Sequence, residues 1–367
     1  MKNILIVASS LYVGGAERVV ANLAKHLDPE RFRVIICHLK QKGQIGEELH
    51  RQGYKVIGVP RQEESIRRYF SFLGLRKIVR ENNIQLLHSH TTYALVDSSL
   101  CRMTMRGVKT VHTFHFGNYP NYDRKYMIME TLFSKFSDCL VAVGEEQRGV
   151  IRNVYNYSEK RIMAILNGVE DIVAAPDPEW EARIRSEKRT VIGTISTHIE
   201  QKGLTYLLDT AQELRTRGLE PLFVVVGDGP LRPGLEEKCK KMGLSENIVF
   251  TGWKHSAGST MMPLFDIFFQ PSLWEAMSMV VLEAMAAKKP VVVTDVGDNR
   301  HVVAHEKTGF VVPAKDVGQM ANALQRLIAS RDLRDAYGSA GRAKYERSYT
   351  VRAMAKQYED LYDKLLS

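Results

Sequence analysis

Apolar runs recur along the chain, bounded by glycine, proline or polar residues and alternating with stretches whose apolar positions follow a helical spacing. Lys2 to Ser9, Arg33 to His38, Lys55 to Val59, Ile84 to His90, Val108 to Phe114, Asp138 to Val143 and Ile162 to Leu166 read as strands. Thr190 to Ile195, Pro221 to Val226, Asn247 to Phe250 and Ile267 to Phe269 continue the series. Runs without polar interruption suit parallel strands covered on both faces. Between them lie helical patterns, such as Val19, Val20, Leu23, Ala24 and Leu27, the segment Ile45 to Gln52, residues 145 to 156, and the chain from Met320 onward. The alternation predicts an α/β protein built from βαβ units. At 367 residues the chain exceeds what a single core usually supports, so two domains are expected. The polar, proline-bearing run 171 to 188 marks the boundary, leaving 1–170 and 171–349 as domains and 350–367 as a final helix.

The densest chemistry lies in residues 266 to 297. A strand runs into Pro271 and Ser272, after which a helix is expected to carry Glu275 near its start and Glu283 in its body. Eight residues at about 3.6 per turn return to within roughly 80° of the same face, about 12 Å further along the axis. A helix that follows a parallel strand offers free N–H groups and a positive dipole end at the sheet's carboxyl edge, where α/β proteins bind phosphates. Ala276, Met277 and Ser278 are the expected donors, and Glu283 can accept two hydrogen bonds from a cis-diol such as a ribose. The plainer alternative is a first-turn acid and a solvated helix glutamate.

Other strand ends add to the picture. Gly14-Gly15 follows the first strand and opens a helix, a turn through which backbone N–H groups can approach a phosphate, although such pairs are often only tight turns. His88, His90, His112 and His115 sit where two strands end, the side on which ligands bind in parallel sheets. Ser196-Thr197-His198-Ile199-Glu200-Gln201-Lys202-Gly203 forms a strand-loop-helix turn whose lysine can meet a diphosphate as a point charge. Trp253 is a candidate to cover a base or to pack internally.

Charge changes the reading of the first half. The formal net charge is +9, with 25 Lys and Arg against 16 Asp and Glu in residues 1–170 and 26 against 26 in the rest. A basic half attracts nucleic acid, anionic lipid or a phosphorylated acceptor, and no zinc-finger or RNP motif supports nucleic acid. Residues 61 to 83 form a basic, aromatic helical pattern containing Ile66, Arg67, Arg68, Tyr69 and Phe70. It suits an anionic membrane surface or, more plainly, a crossover helix with its apolar stripe on the sheet. The four cysteines show no CxxC spacing or pairing pattern, as in a cytosolic protein with reduced thiols. No apolar run approaches the length of a membrane span, and the short apolar stretch after Lys2 reads as a buried strand, not a signal peptide.

Pro271-Ser272-Leu273-Trp274-Glu275, Glu283-Ala284-Met285-Ala286-Ala287 and Lys289-Pro290 to Gly297 together resemble the signature of the retaining glycosyltransferases of family four. Val13-Gly14-Gly15-Ala16-Glu17-Arg18, Asn167-Gly168-Val169-Glu170 and Gly227-Asp228-Gly229-Pro230 resemble that family's motifs in order. The resemblance implies a GT-B fold, two Rossmann-like doubly wound domains facing each other across a cleft, with the last helix returning to the first domain. It also implies transfer of a sugar from a nucleoside diphosphate sugar to an acceptor hydroxyl with retained configuration. No metal or further cofactor is required, and the acceptor class is a surface polysaccharide or lipid-linked glycan at the cytoplasmic membrane face. By the same likeness, Lys202 and the loop Ser196–Thr197 meet the diphosphate with Gly14, Gly15 and Ala276 to Ser278. Glu275 and a histidine, His115 in preference to His112, orient the sugar, and Glu283 holds the ribose. Three positions depart from the pattern: Thr197 replaces an arginine that supplies a second fixed charge, while Ala276 and Lys288 replace glycines. The first departure leaves open a donor-binding, non-catalytic partner subunit, and the architecture also accommodates a nucleotide-sugar epimerase.

Overall fold

The computed structural model describes residues 1–59, 71–186 and 188–367. The chain divides into two compact units, Met1–Gly168 with Val351–Ser367, and Val169–Thr350.

In the first unit the strands are β1 (Lys2–Ser10), β2 (Phe32–Gln41), β3 (Val56–Gly58), β4 (Leu86–Ser89), β5 (Lys109–Phe114), β6 (Cys139–Ala142) and β7 (Ile162–Ala164). They form one sheet in the order β3-β2-β1-β4-β5-β6-β7, with parallel pairing throughout. The central strand β1 pairs Ile4 with both Val34 and Leu86, and Ile4 to Val7 are fully buried because helices cover both faces. Strand order reverses between β1 and β4, so the loops leaving these two strands diverge and open a crevice at their carboxyl ends. The expected helix 61–83 is described from Ser71 to Glu81, where Leu75, Ile78 and Val79 are buried in the core as a crossover helix requires. Ile66, Arg67, Arg68, Tyr69 and Phe70 lie outside the described residues.

The helix Val351–Leu366 belongs to this unit. Its Tyr358 and Tyr362 are buried, and the fully buried Glu359 carboxylate accepts from the Asp28 N–H, Arg31 and Arg352. A buried carboxylate is tolerable when its oxygens are filled in this way. Lys2 adds an ion pair of 2.7 Å to Asp363 of the same helix.

The second unit holds β8 (Val191–Ile195), β9 (Leu222–Val226), β10 (Ile248–Gly252), β11 (Ile267–Gln270), β12 (Val291–Thr294) and β13 (Gly309–Val312). Their order is β10-β9-β8-β11-β12-β13, again all parallel, with the reversal between β8 and β11. Every residue of β9, β11 and β12 is buried, which explains the apolar runs Leu222–Val226, Ile267–Phe269 and Val291–Val293. The polar run 171 to 188 contains a helix, Pro178–Ser186, anchored by buried Trp180 and Ile184.

One expected element is displaced. The helix after β11 is Met279–Ala286, capped at Ser278, so Glu275 is not on it and the two glutamates do not share a helix. A carbonyl that would start the helical ladder is engaged elsewhere: that of Ala276 accepts from the Asp298 N–H at 3.0 Å. Gly297, at φ +52°, packs so closely that a Cβ there would stand 2.3 Å from the Glu275 carbonyl oxygen. The loop Pro271–Ser278 is thereby pinned to the turn after β12 and cannot wind into the helix.

Candidate functional site

In the second unit, two loops leave the reversal point. The loop after β8 carries Ser196 to Lys202 and leads to helix Leu204–Thr216; the loop after β11 carries Pro271 to Ser278. They are joined by a hydrogen bond of 2.7 Å from the Leu273 N–H to the Gln201 carbonyl. Gly203 makes the close approach feasible: at φ +59° it lies against Pro271, whose carbonyl oxygen would be 2.0 Å from any Cβ.

This junction brings Lys202 and Glu275 together. The Lys202 Nζ lies 2.6 Å from Glu275 Oε1, Ser272 Oγ donates to the same oxygen at 2.8 Å, and Gln201 Nε2 donates to Oε2 at 3.3 Å. Glu275 and Ser272 are buried, and Lys202 keeps about one-fifth of its side chain exposed. A carboxylate with three donors is oriented as well as charge-compensated. The Ser272 carbonyl accepts in turn from Thr294 Oγ1 at 2.6 Å, and Gln270 Nε2 donates to Ser278 Oγ at 2.9 Å. Sequence reasoning missed Ser272 and Gln201 as partners of Glu275; their polar side chains flanking an expected site lysine and glutamate were the available signal.

The other predicted residues of this unit lie on the same loops, on the helix that follows and at the end of β10. Ala276, Met277 and Ser278 are buried in the loop, and the helix that follows leaves the amides of Ser278, Met279, Val280 and Val281 without an intrahelical acceptor. Glu283 lies in the helix with its carboxylate beside Gly258, whose Cβ would stand 3.1 Å from Oε2. Ser196 Oγ is buried without a partner, and Thr197 is exposed. His198 does not supply the charge missing at Thr197. Its ring is fully buried, neither nitrogen has a hydrogen bond, and burial pushes its pKa below the ordinary value, all of which favour the neutral form. Trp253 is 58% exposed, which removes the internal-packing alternative.

In the first unit, Gly14 caps helix Gly15–His26 in an extended conformation, and the Glu17 side chain folds back against it. A Cβ on Gly14 would stand 2.4 Å from Glu17 Oε2, so here the glycine provides space, not a left-handed turn. Burial raises the pKa of Glu17. The helix start expected to greet a phosphate therefore carries a carboxylate of its own.

The histidines at the ends of β4 and β5 form one cluster. His112 is buried, with Nδ1 2.9 Å from Ser89 Oγ, while His115 lies just beyond β5, half-buried, with Nε2 2.9 Å from His90 Nδ1. His88 is enclosed between Tyr362, 2.6 Å from its Nδ1, and Thr113, 2.8 Å from its Nε2. Burial pushes the pKa of His112 down to about 3 and that of His115 down to about 4, and holds those of His88 and His90 well below the usual value. All four are neutral near pH 7. The pairing of His90 with His115 and the closure by Tyr358 and Tyr362 were not anticipated, although His-x-His on a strand places both rings on one face.

The aromatic stretch Phe116 to Tyr126 packs largely on itself. Phe116 stacks on Tyr122 at 4.0 Å, and Tyr119 and Tyr155 donate to the buried Glu130 at 2.7 and 2.6 Å. Among the described residues no group of three or more His, Cys, Asp or Glu is arranged to hold a metal ion, and no helix is long and apolar enough to cross a membrane.

Residues 13–171 match the family model described as Glycosyltransferase Family 4, and residues 177–344 match that described as Glycosyl transferases group 1. The chain is 26% identical over 306 residues to the putative glycosyltransferase EpsF of Bacillus subtilis, covering 80% of this chain and 79% of that protein. It is 24% identical over 367 residues to the Escherichia coli UDP-Gal:alpha-D-GlcNAc-diphosphoundecaprenol alpha-1,3-galactosyltransferase, covering 95% and 94%. The crystal structure of Anabaena Alr3699/HepE in complex with UDP is similar with a TM-score of 0.86 at 19% identity, covering 99% of this chain and 100% of that one. At that identity the likeness concerns the fold.

Proposed function

Since the chain belongs to the glycosyltransferases of group 1 and family 4 and has their GT-B fold, we propose that it moves a sugar from a nucleoside diphosphate donor to an acceptor hydroxyl with retention of configuration. The observation that carries this reading is the Lys202–Glu275 pair, 2.6 Å apart where the strand order reverses in the second unit. In the transfer, the bond between the anomeric carbon and the diphosphate oxygen breaks, the acceptor oxygen bonds to that carbon, and the acceptor's proton leaves with the diphosphate. Negative charge grows on the diphosphate and positive charge on the sugar, so preorganised donors belong at the first and a carboxylate near the second. Lys202, Ser196, Thr197 and the loop Ala276 to Ser278 are assigned to the diphosphate, Glu275 to the sugar, and Glu283 to the ribose hydroxyls. From the first unit, His115 is assigned to the sugar and Gly14-Gly15 to the diphosphate. The reaction needs no metal in this scheme.

The Escherichia coli relative is named for a lipid-diphosphate-linked acceptor, and the excess of cations in residues 1–170 favours an anionic acceptor of that class. A glycan or lipid-linked acceptor, met by a cytoplasmic enzyme held peripherally at the inner face of an anionic membrane, is the corresponding setting. Thr197 supports a second reading, a donor-binding subunit without turnover, because one fixed charge on the leaving group is missing.

The test is a panel of UDP-glucose, UDP-galactose, UDP-N-acetylglucosamine and GDP-mannose, followed for release of nucleoside diphosphate and for sugar identity. Transfer releases the diphosphate. Binding without release supports the subunit reading, and interconversion of the sugar without release identifies an epimerase. If Glu283→Gln leaves UDP affinity unchanged, the ribose assignment is wrong.

A further inference from the structure

The histidine cluster carries one inference beyond this scheme, resting on the assignment of His115 to the sugar. His90 Nδ1 and His115 Nε2 are 2.9 Å apart with the rings stacked, centroids 5.2 Å apart. Two neutral imidazoles at that separation share one proton, so one must donate and the other accept. The choice decides what His115 presents on its other nitrogen. If His115 Nε2 donates, its Nδ1 is a bare acceptor, and His90 must then carry its own proton on Nε2. If His90 Nδ1 donates, His115 carries its proton on Nδ1, and His90 Nε2 is a bare lone pair.

The burial of His90 breaks the tie. Its Nε2 is enclosed with no hydrogen-bond partner, while its main-chain N–H is satisfied by Val7 at 3.0 Å. An enclosed, unpaired N–H is the rarer defect in folded proteins; an enclosed acceptor left short of a donor occurs more often. His88 stacks on the other face, ring centroids 4.0 Å away, and its own nitrogens are committed to Tyr362 and Thr113, so it cannot serve His90 Nε2. We infer that His90 is a positioning residue that donates from Nδ1 to His115 Nε2 and so holds His115 as the Nδ1–H tautomer, an outward hydrogen-bond donor. Among the described residues His115 Nδ1 makes no hydrogen bond to the protein, so that donor is available to a hydroxyl or ring oxygen of the sugar. His115 then polarises and orients the sugar and does not act as a base.

Long-range proton–nitrogen spectra of histidine-labelled full-length protein read the tautomer directly, without any donor or acceptor present. The expected result is a protonated Nδ1 and unprotonated Nε2 at His115. His90→Asp, an acceptor only, moves the proton to Nε2; His90→Phe removes the preference; His90→Asn, whose amide can donate from the same place, restores the Nδ1–H form. The His88 and His112 signals in the same spectra report whether each variant is folded. In UDP release with a donor identified from the panel above, His90→Phe lowers kcat about tenfold with KM within about twofold, the loss of one oriented hydrogen bond, and His90→Asn recovers most of it. A proton on His115 Nε2 in the unmodified protein, or an unchanged tautomer in folded His90→Phe, overturns the inference. If the tautomer shifts as stated but His115→Ala leaves kcat unchanged, the inference about His90 stands and the assignment of His115 to the sugar is wrong.

Discussion

Removing the ammonium at Lys202 leaves the Glu275 carboxylate buried, with Ser272 Oγ and Gln201 Nε2 as its remaining donors. Truncating one partner of a buried ion pair costs about 3–5 kcal/mol in general. The two surviving donors and the one-fifth exposure of Lys202 reduce this to roughly 2–3 kcal/mol for Lys202→Met. Glu275→Gln is milder, about 1 kcal/mol, because the amide oxygen still accepts from Ser272 while Lys202 can turn toward water. The double variant removes both charges and should recover about 1.5 kcal/mol relative to the sum of the singles. Thermal unfolding reads the difference: Lys202→Met lowers the transition of the second unit by roughly 5–10 °C and Glu275→Gln by roughly half as much or less. Calorimetric titration with UDP separates stability from function. Lys202→Met weakens UDP roughly 10- to 100-fold through the lost charge-assisted contact, whereas Glu275→Gln binds UDP as tightly or more tightly, since the ammonium no longer has an internal competitor. Additive stability losses in the double variant, or equal losses in the two singles, would refute the claim that the pair acts as a unit.

Gly203→Ala sets a Cβ against the Pro271 carbonyl at a backbone angle of φ +59° and should cost at least about 2 kcal/mol, weakening UDP binding as the two loops part; equilibrium denaturation and UDP titration together check it. Asp97 is buried with Ser71 donating to it at 2.5 Å, and burial pushes its pKa from 3.8 up to about 6. A raised carboxyl pKa means the contribution is fully present below about pH 3.8 and lost as pH rises through about 6, so wild type is less stable at pH 8 than this group allows by up to about 3 kcal/mol. Asp97→Asn should flatten that pH dependence and be the more stable protein at pH 8, as guanidinium denaturation at pH 5 and pH 8 will show. His198→Phe removes two enclosed nitrogens that have no partners and should stabilise the second unit by about 1 kcal/mol; a lowered melting temperature would mean that the ring is hydrogen-bonded in solution.

Much of this protein can be read along the chain. Strand positions follow from runs such as Leu222–Val226, in which every side chain is buried, because a strand covered on both faces tolerates no polar alternation. Lys202, Glu275 and the strand-end histidines stand out because ligands bind where parallel strands stop. The helix starts later than Glu275 because local spacing cannot register Asp298, which takes the Ala276 carbonyl, or Gly297, which packs against the Glu275 carbonyl.

What the sequence by itself determined was periodicity and chemistry: which segments are strands or helices, and which side chains can bear charge or a proton. Tertiary structure alone decided which of these meet. Lys202 and Glu275, 73 residues apart, touch because β8 and β11 are neighbours in the sheet, and His90 reaches His115 because β4 pairs with β5. It also decided that His198 is enclosed and neutral while Lys202 remains partly exposed, since burial depends on what the rest of the unit packs around a side chain, and the residue's own neighbours in the chain do not carry that information.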